Sequence, residues 1–136
     1  MDTGHWKVYE AIPENAFGFI YEITNLVNDK KYIGRKQMVK KIKRAPLKGK
    51  KRKRIDYVES DWKTYTGSSD RLNIDIATHG KGRFLFKILR FCRNKYELGY
   101  YESKMQFDKD VLLSEDYYNG IINCRIGKPP KNFLEH

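Results

Sequence analysis

The amino-acid sequence predicts a small α+β fold in which a short sheet packs against helices. The first observation is a hairpin in residues 19–36, where β-branched and aromatic residues flank an Asn-Asp turn pair at 28–29. The second is the run 84–92, whose apolar residues fall at both odd and even positions, as in a strand covered on both faces. The third is a pair of helix-start signals, at Ser68-Ser69-Asp70 and at Asn94.

The hairpin brings an unusual set of side chains to one face. If residues 28–29 are the two central turn residues, Tyr21 lies directly opposite Lys36. Period-2 alternation then places Tyr21, Tyr32, Gly34 and Lys36 on one face. Two phenols, an ammonium group and a glycine that leaves access to them indicate a chemical site. The hairpin pattern alone favours the alternative, that the tyrosines are ordinary strand aromatics.

The remaining elements follow from caps and apolar spacing. We expect a first helix over 70–79 that stops at Gly80, then the strand 84–92 at the centre of the sheet, then a second helix over 94–107. Glu102 lies on or beside the apolar stripe of the second helix. An unpaired carboxylate there would be costly, so Glu102 needs a partner, and a metal ion would be one.

The charge balance is the strongest signal in the composition. The 136 residues include 28 Lys and Arg against 17 Asp and Glu, which gives a formal net charge of +11. Such a field attracts polyanions, nucleic acid first and anionic membrane second. No apolar run could span a bilayer and no signal peptide is visible, so we expect a cytoplasmic protein outside the membrane. The two cysteines lie far apart and are interpreted as reduced thiols.

A dense basic block follows the hairpin. Twelve of the twenty residues in 35–54 are Lys or Arg and none is acidic, while Pro46 and Gly49 interrupt the block. We expect a basic loop insertion over 35–58 that binds DNA phosphates, and eight such contacts would give a log-log salt slope of about minus seven. Trp62 is counted with the block, although a core position is the commoner use of tryptophan. The predicted DNA-binding residues are Arg35, Lys40, Lys41, Lys43, Lys48, Lys50, Lys51, Arg52, Lys53, Arg54 and Trp62.

The hairpin also carries a recognisable motif. Ile20-Tyr21 is followed, eleven positions after the first tyrosine, by Tyr32-Ile33-Gly34. This order resembles the paired signature of the GIY-YIG nuclease family, with Phe19 in place of the first glycine. The segment ESDWKTYTGSS at 59–69 further resembles small free-standing bacteriophage members related to homing endonucleases. The resemblance extends over most of residues 17–126.

The resemblance implies a fold, a substrate and a cofactor. The fold is an α+β domain with a three-stranded antiparallel sheet flanked by helices, and the substrate is DNA. One Mg²⁺ or Mn²⁺ ion is held by a single glutamate, which Glu102 matches by position. Asn123 matches the late asparagine of the family, and Tyr21 and Tyr32 match the signature tyrosines. A phage-encoded member would act in the cytoplasm of its host cell.

The arginine of the family has no direct counterpart. The position at which the family carries it is Ile42, flanked by basic residues. We therefore assign the role to Arg44, with Lys36 as the second cation.

These residues predict a metal-dependent hydrolysis of phosphodiester bonds. A tyrosinate base at pH 7.5 requires its ionised form to be favoured by about 3.4 kcal/mol over a free phenol. We assign this role to Tyr21 because of the predicted Lys36 opposite it. Glu102 would hold the metal, and Arg44 or Lys36 would neutralise charge that develops at the phosphate.

Two other functions stay open at this point. Composition alone favours a non-catalytic nucleic-acid-binding module, since such modules are commoner than nucleases. A tyrosine could also attack phosphorus itself, as in a strand transferase. The sequence does not give the DNA preference, and double-strand cleavage would require a homodimer or two sequential cuts.

The chain is predicted to form one domain over 17–133. Residues 1–16 form an N-terminal arm that is either an edge strand or a packed segment, with no assigned role. The last three residues, 134–136, are interpreted as the remnant of a purification tag.

Overall fold

The computed structural model describes residues 2–131 and confirms the α+β fold with a three-stranded antiparallel sheet. Two short 3-10 turns, at 62–64 and 81–83, accompany the regular elements. The elements in chain order are β1 (Gly18–Asn25), β2 (Lys31–Gln37), β3 (Val39–Arg44), β4 (Arg54–Glu59), α1 (Asp70–His79), β5 (Phe84–Cys92) and α2 (Lys95–Asp108). The three-stranded sheet has the order β2-β1-β5, and β3 and β4 form a separate two-stranded sheet.

β1 is the central strand, because it pairs with β2 on one side and with β5 on the other. The expectation that the strand at 84–92 forms the centre is wrong, although its bounds are confirmed. The outer edge of β5 meets the N-terminal arm at Lys7, whose N–H donates to Phe86 O at 2.7 Å and whose C=O accepts from Ile88 N at 3.0 Å. Apolar residues occupy both odd and even positions of β5 because core clusters cover both faces of this strand.

The hairpin register differs from the predicted one by two residues. Tyr21 pairs with Gly34, and Lys36 pairs with Phe19. The turn is longer than two residues, since Asn25 N donates to Lys30 O at 2.7 Å and the intervening Asp29 has a positive φ of 61°. A shift of two residues preserves the face, so the prediction that both tyrosines, Gly34 and Lys36 share one face is confirmed.

Both helices begin and end close to their predicted positions. The hydroxyl of Ser69 accepts a hydrogen bond from Leu72 N at 3.3 Å, and Gly80 ends α1 with a φ of 87°. The side chain of Asn94 accepts from Glu97 N at 2.7 Å and caps α2. None of the helices within residues 2–131 combines the length and the apolarity that a membrane span requires.

The basic insertion contains a regular hairpin. β3 and β4 pair from Val39 opposite Glu59 to Arg44 opposite Arg54, and residues 45–53 connect them. The expectation of a loop is therefore wrong for the two strands, whose β-branched residues favour an extended backbone. Most side chains of this hairpin are exposed.

The N-terminal arm is a packed part of the core. Trp6 is 3% exposed, and its indole N–H donates to Trp62 O at 2.5 Å. Its ring lies 5.1 Å from the ring of Phe19 and 5.0 Å from that of Tyr21. The arm therefore supports the tyrosine-bearing face of β1. The predicted tag remnant at 134–136 lies outside the described residues.

Replacing Trp6 by alanine should lower the free energy of unfolding by about 3–5 kcal/mol, because a fully packed aromatic side chain is removed. Tyr9→Ala is the matched control on the same arm, since Tyr9 is 69% exposed, and should cost less than about 1 kcal/mol. Urea unfolding measures both values. Equal, small effects of the two substitutions would show that the arm is not part of the core.

Candidate active site

A polar pocket of about 270 Å³ lies at the outer edge of β2. Its lining residues come from both faces of the sheet, from α2 and from the segment after it. They are Tyr21, Tyr32, Arg35, Tyr65, Ser68, Glu102, Gln106, Ile121 and Asn123. Four of the six predicted catalytic residues therefore come together here, whereas Lys36 and Arg44 do not line the pocket.

The phenol of Tyr21 reaches this pocket by passing over Gly34. A Cβ added at Gly34 would lie 2.5 Å from the Tyr21 hydroxyl and 2.9 Å from Cε1 of Tyr32, both closer than real Cβ contacts. The Tyr21 ring lies 6.1 Å from the Tyr32 ring and 6.1 Å from the Tyr65 ring. Three phenols thus form one wall, and glycine at position 34 is a steric requirement.

The two signature tyrosines differ in their surroundings. Tyr21 is 1% exposed, and burial raises its pKa well above the ordinary value of 10.0. Tyr32 is half-buried and shares a hydrogen bond of 3.0 Å with the Ser68 hydroxyl. Burial also raises the pKa of Tyr32, and the Ser68 hydrogen bond acts in the opposite direction. Tyr32 is therefore the more accessible of the two phenols.

Lys36 does not neighbour Tyr21 as expected. In the observed register it lies opposite Phe19, and its Nζ is 2.6 Å from Oδ1 of Asp61. Nζ also lies 4.2 Å from the centroid of the Tyr65 ring. The reason for assigning the base role to Tyr21 is therefore absent, because the longer turn moves Lys36 along the strand.

The cation in the pocket is Arg35, which the sequence analysis had grouped with the DNA-binding residues. Its Nε lies 3.7 Å from Oε1 of Glu102. Arg44 lies instead in β3, where its Nε is 2.9 Å from Oδ2 of Asp56. The assignment of Arg44 to the site is wrong in position, since the hairpin of β3 and β4 carries it elsewhere. Strand alternation could have found Arg35, which follows Ile33 on the face toward α2.

Glu102 and Gln106 lie one turn apart on α2 and face the same pocket. The Glu102 side chain is 15% exposed, and burial raises its pKa while the Arg35 guanidinium acts in the opposite direction. The Gln106 amide N–H donates to Ile33 O at 2.9 Å. Its Oε1 is buried and has no hydrogen-bond partner within residues 2–131. The sequence analysis missed Gln106.

These oxygen atoms suit a hard divalent cation. A carboxylate and a neighbouring amide oxygen without a partner are ligand types that Mg²⁺ accepts, with water and phosphate completing its shell. In the described part of the chain, no three His, Cys, Asp or Glu side chains come together as a metal cluster. Among the described residues that line the pocket, Glu102 is the one carboxylate that could hold such an ion.

Two asparagines of the C-terminal segment have different roles. Asn123 is exposed and lines the pocket. Asn119 is buried, and its side chain donates to Ile33 O at 2.8 Å and accepts from Ile33 N at 3.1 Å. Asn119 thus occupies the edge of β2 as an added strand would and fixes Ile33 beside the pocket. The Asn-Gly turn signal gave no indication of this contact.

The predicted DNA-binding residues divide into two groups. Trp62 is 2% exposed, packs 5.9 Å from the Phe19 ring and donates its indole N–H to Glu59 Oε1 at 3.0 Å. Its assignment to DNA is therefore wrong, because a core side chain cannot reach a duplex. All the predicted lysines and arginines are exposed, and apart from Arg35 they lie in β3, in β4 or in the connection between these strands.

The comparisons with known proteins agree with this geometry. Residues 3–122 match a protein-family model described as "Putative endonuclease segE, GIY-YIG domain". The match includes most of the N-terminal arm, both helices and the whole pocket except Asn123. No curated protein and no solved structure matches the chain at a significant level.

Substituting alanine for Gly34 should destabilise the domain by about 1–3 kcal/mol, because the added methyl group overlaps two packed phenols. Gly120→Ala is the matched control, since a Cβ there meets no atom of residues 2–131 within 4 Å. Thermal unfolding and near-UV circular dichroism of the tyrosines report both changes. An unperturbed Gly34→Ala domain would contradict the observed pairing of Tyr21 with Gly34.

Proposed function

The chain belongs to the GIY-YIG endonuclease family, and from this premise we propose that it hydrolyses phosphodiester bonds in DNA with one Mg²⁺ or Mn²⁺ ion. The observation that carries the proposal is the convergence of Glu102, Arg35 and three phenols on one pocket. An acid that binds a metal, a cation for the phosphate and a phenol for the attacking water are the three parts that this hydrolysis needs.

Glu102 would hold the metal, and the free Oε1 of Gln106 would bind the ion or a water in its shell. When bound, a divalent ion polarises the phosphate and lowers the pKa of an attacking water. Gln106 also fixes its own position through Ile33 O, so its oxygen is held beside Glu102 without further ordering.

Tyr32 is the better candidate for the general base. It is more exposed than Tyr21, and Ser68 orients its hydroxyl. Tyr21 packs behind it and shapes the wall, because its burial strongly disfavours the phenolate. Asn123, which is exposed at the pocket rim, would position the phosphate or the leaving oxygen.

Arg35 would stabilise the negative charge that develops on the phosphate. At 3.7 Å from Glu102 it is close enough to face the same phosphate, and its fork of N–H donors suits two phosphate oxygens. Lys36, held by Asp61, would support the Tyr65 side of the pocket.

DNA would be bound by the exposed cations of the hairpin of β3 and β4. Six residue pairs of an antiparallel ribbon extend for roughly 20 Å, and a two-stranded ribbon fits the width of a major groove. One pocket cuts one strand, so cleavage of both strands would need a homodimer or two successive events.

Supercoiled plasmid incubated with Mg²⁺ should be nicked by the wild-type protein and left intact when chelator is added. Glu102→Ala should lower the rate at least about a hundredfold and also weaken Mn²⁺ binding measured by calorimetry. Tyr32→Phe should lower the rate by about 10²- to 10⁴-fold while Mn²⁺ binding is retained. Glu115→Ala, which removes an exposed carboxylate that does not line the pocket, should change neither quantity.

Each failure has a distinct meaning. DNA binding without cleavage in any divalent metal would reject the nuclease in favour of a binding module. Protein-linked DNA trapped in detergent would reject the water-mediated step in favour of a tyrosine nucleophile. Cleavage that survives Glu102→Ala would reject only the assignment of the metal ligand.

The pH dependence of kcat/KM, which reports the free enzyme, should follow the phenol. The phenolate is the active form, and burial raises the pKa of Tyr32 above 10.0, so its ionised fraction should increase about tenfold per pH unit up to pH 9. Burial also raises the pKa of Glu102, so this metal ligand becomes protonated at a higher pH than an ordinary glutamate. Protonation of Glu102 should therefore lower kcat/KM further as the pH falls. A plateau of log kcat/KM below pH 8 would contradict a tyrosine base.

A further inference from the structure

A second, larger groove adjoins the candidate active site. Its volume is about 500 Å³, and it is lined by the first turns of α2 and by the segment 122–128. Arg35 and Asn123 line both the pocket and this groove, so the two spaces are neighbours at these residues. The groove therefore begins where the scissile phosphate would lie.

The groove is strongly cationic. Arg35, Lys95, Arg125 and Lys128 line it, and no acidic residue of the described range 2–131 does. Within residues 2–131, Lys95, Arg125 and Lys128 form no ion pair. Arg35 lies 3.7 Å from Glu102, so the three other cations are the ones whose charge is available for an external anion.

A hydrogen bond between α2 and the C-terminal segment fixes the two walls of the groove relative to each other. The Tyr96 hydroxyl donates to Gly127 O at 2.8 Å and joins the C-terminal segment to α2. The Tyr96 ring also stacks on the Tyr100 ring at 6.1 Å with an interplanar angle of 22°. The hydrogen bond to Gly127 O joins the segment that carries Arg125 and Lys128 to the first turn of α2, which carries Lys95.

We propose that this basic groove binds the backbone phosphates that flank the scissile phosphate on the cleaved DNA strand. The proposal rests on the proposed nuclease function, and it extends DNA binding to three residues outside the basic insertion. A strand whose scissile phosphate lies at Glu102 passes Arg35, and beyond Arg35 the groove offers Lys95, Arg125 and Lys128 to the next phosphates. The hairpin of β3 and β4 and the groove then hold the DNA on two sides of the scissile phosphate.

The test is duplex binding in chelator, measured by fluorescence anisotropy between 0.1 and 0.3 M salt. If each cation contacts one phosphate, each lost contact should cost about eightfold in affinity at 0.1 M salt, and Lys95→Ala/Arg125→Ala should flatten the log-log slope by about two. Lys95→Arg/Arg125→Lys should bind like wild type. Lys81→Ala/Lys109→Ala is the control, because it removes two exposed charges outside the groove.

A Lys95→Ala/Arg125→Ala protein that binds with wild-type affinity and slope, or that loses no more than the control, would overturn the proposal. Placement is tested with neutral methylphosphonates beside the cleavage site, which should weaken wild-type binding but not binding by the groove variant. Equal sensitivity of both proteins would overturn the placement. Because the anisotropy measurements on unmodified duplex need no cleavage, an inactive wild-type protein would contradict the nuclease function without changing the outcome of the affinity test of the groove.

Discussion

The pairing of Tyr21 with Gly34 is the constraint on which the candidate site depends. Tyr21 belongs to the central strand, yet its phenol reaches the outer edge of the sheet because the neighbouring residue on β2 has no side chain. From that edge the same pocket is accessible to α2, which lies against the opposite face and supplies Glu102 and Gln106. A side chain at position 34 would separate the two halves of the site.

Segments outside the sheet hold this arrangement in place. The N-terminal arm puts Trp6 against Tyr21, so that the phenol is supported by the core. Along the other edge, Lys31 N donates to Asp116 O and Asn119 binds both backbone groups of Ile33. These bonds cover the first half of β2 and leave the edge near Arg35 to the pocket. An edge that is partly paired in this way is also protected from pairing with another chain.

The sequence was most informative where the physical signal is local. Capping signals at 68–70 and at Asn94 located both helices, and the period-2 pattern assigned the tyrosine face correctly although the register was wrong. A register shift of two residues keeps every side chain on its face of the sheet. An error in the predicted turn length therefore leaves the face of each residue correct but gives each residue the wrong cross-strand partner. The predicted partnership of Tyr21 with Lys36 failed for this reason.

The missed residues depend on tertiary contacts. Gln106 and Asn119 are polar residues whose role comes from Ile33, a residue distant in sequence, and no local pattern marks such a bond. Arg35 was hidden within a block of cations whose members look alike until strand pairing separates them. Only the fold distinguishes the cation beside Glu102 from those of the exposed hairpin.

The central claim is that Glu102 holds the catalytic metal beside Tyr32 and Arg35. Crystals of the protein with an uncleaved DNA duplex and Mn²⁺ test it directly through anomalous diffraction. We expect one peak about 2 Å from a Glu102 oxygen, inside the pocket and in contact with a backbone phosphate. A peak elsewhere in the complex, or DNA bound with no ion at Glu102, would contradict the claim.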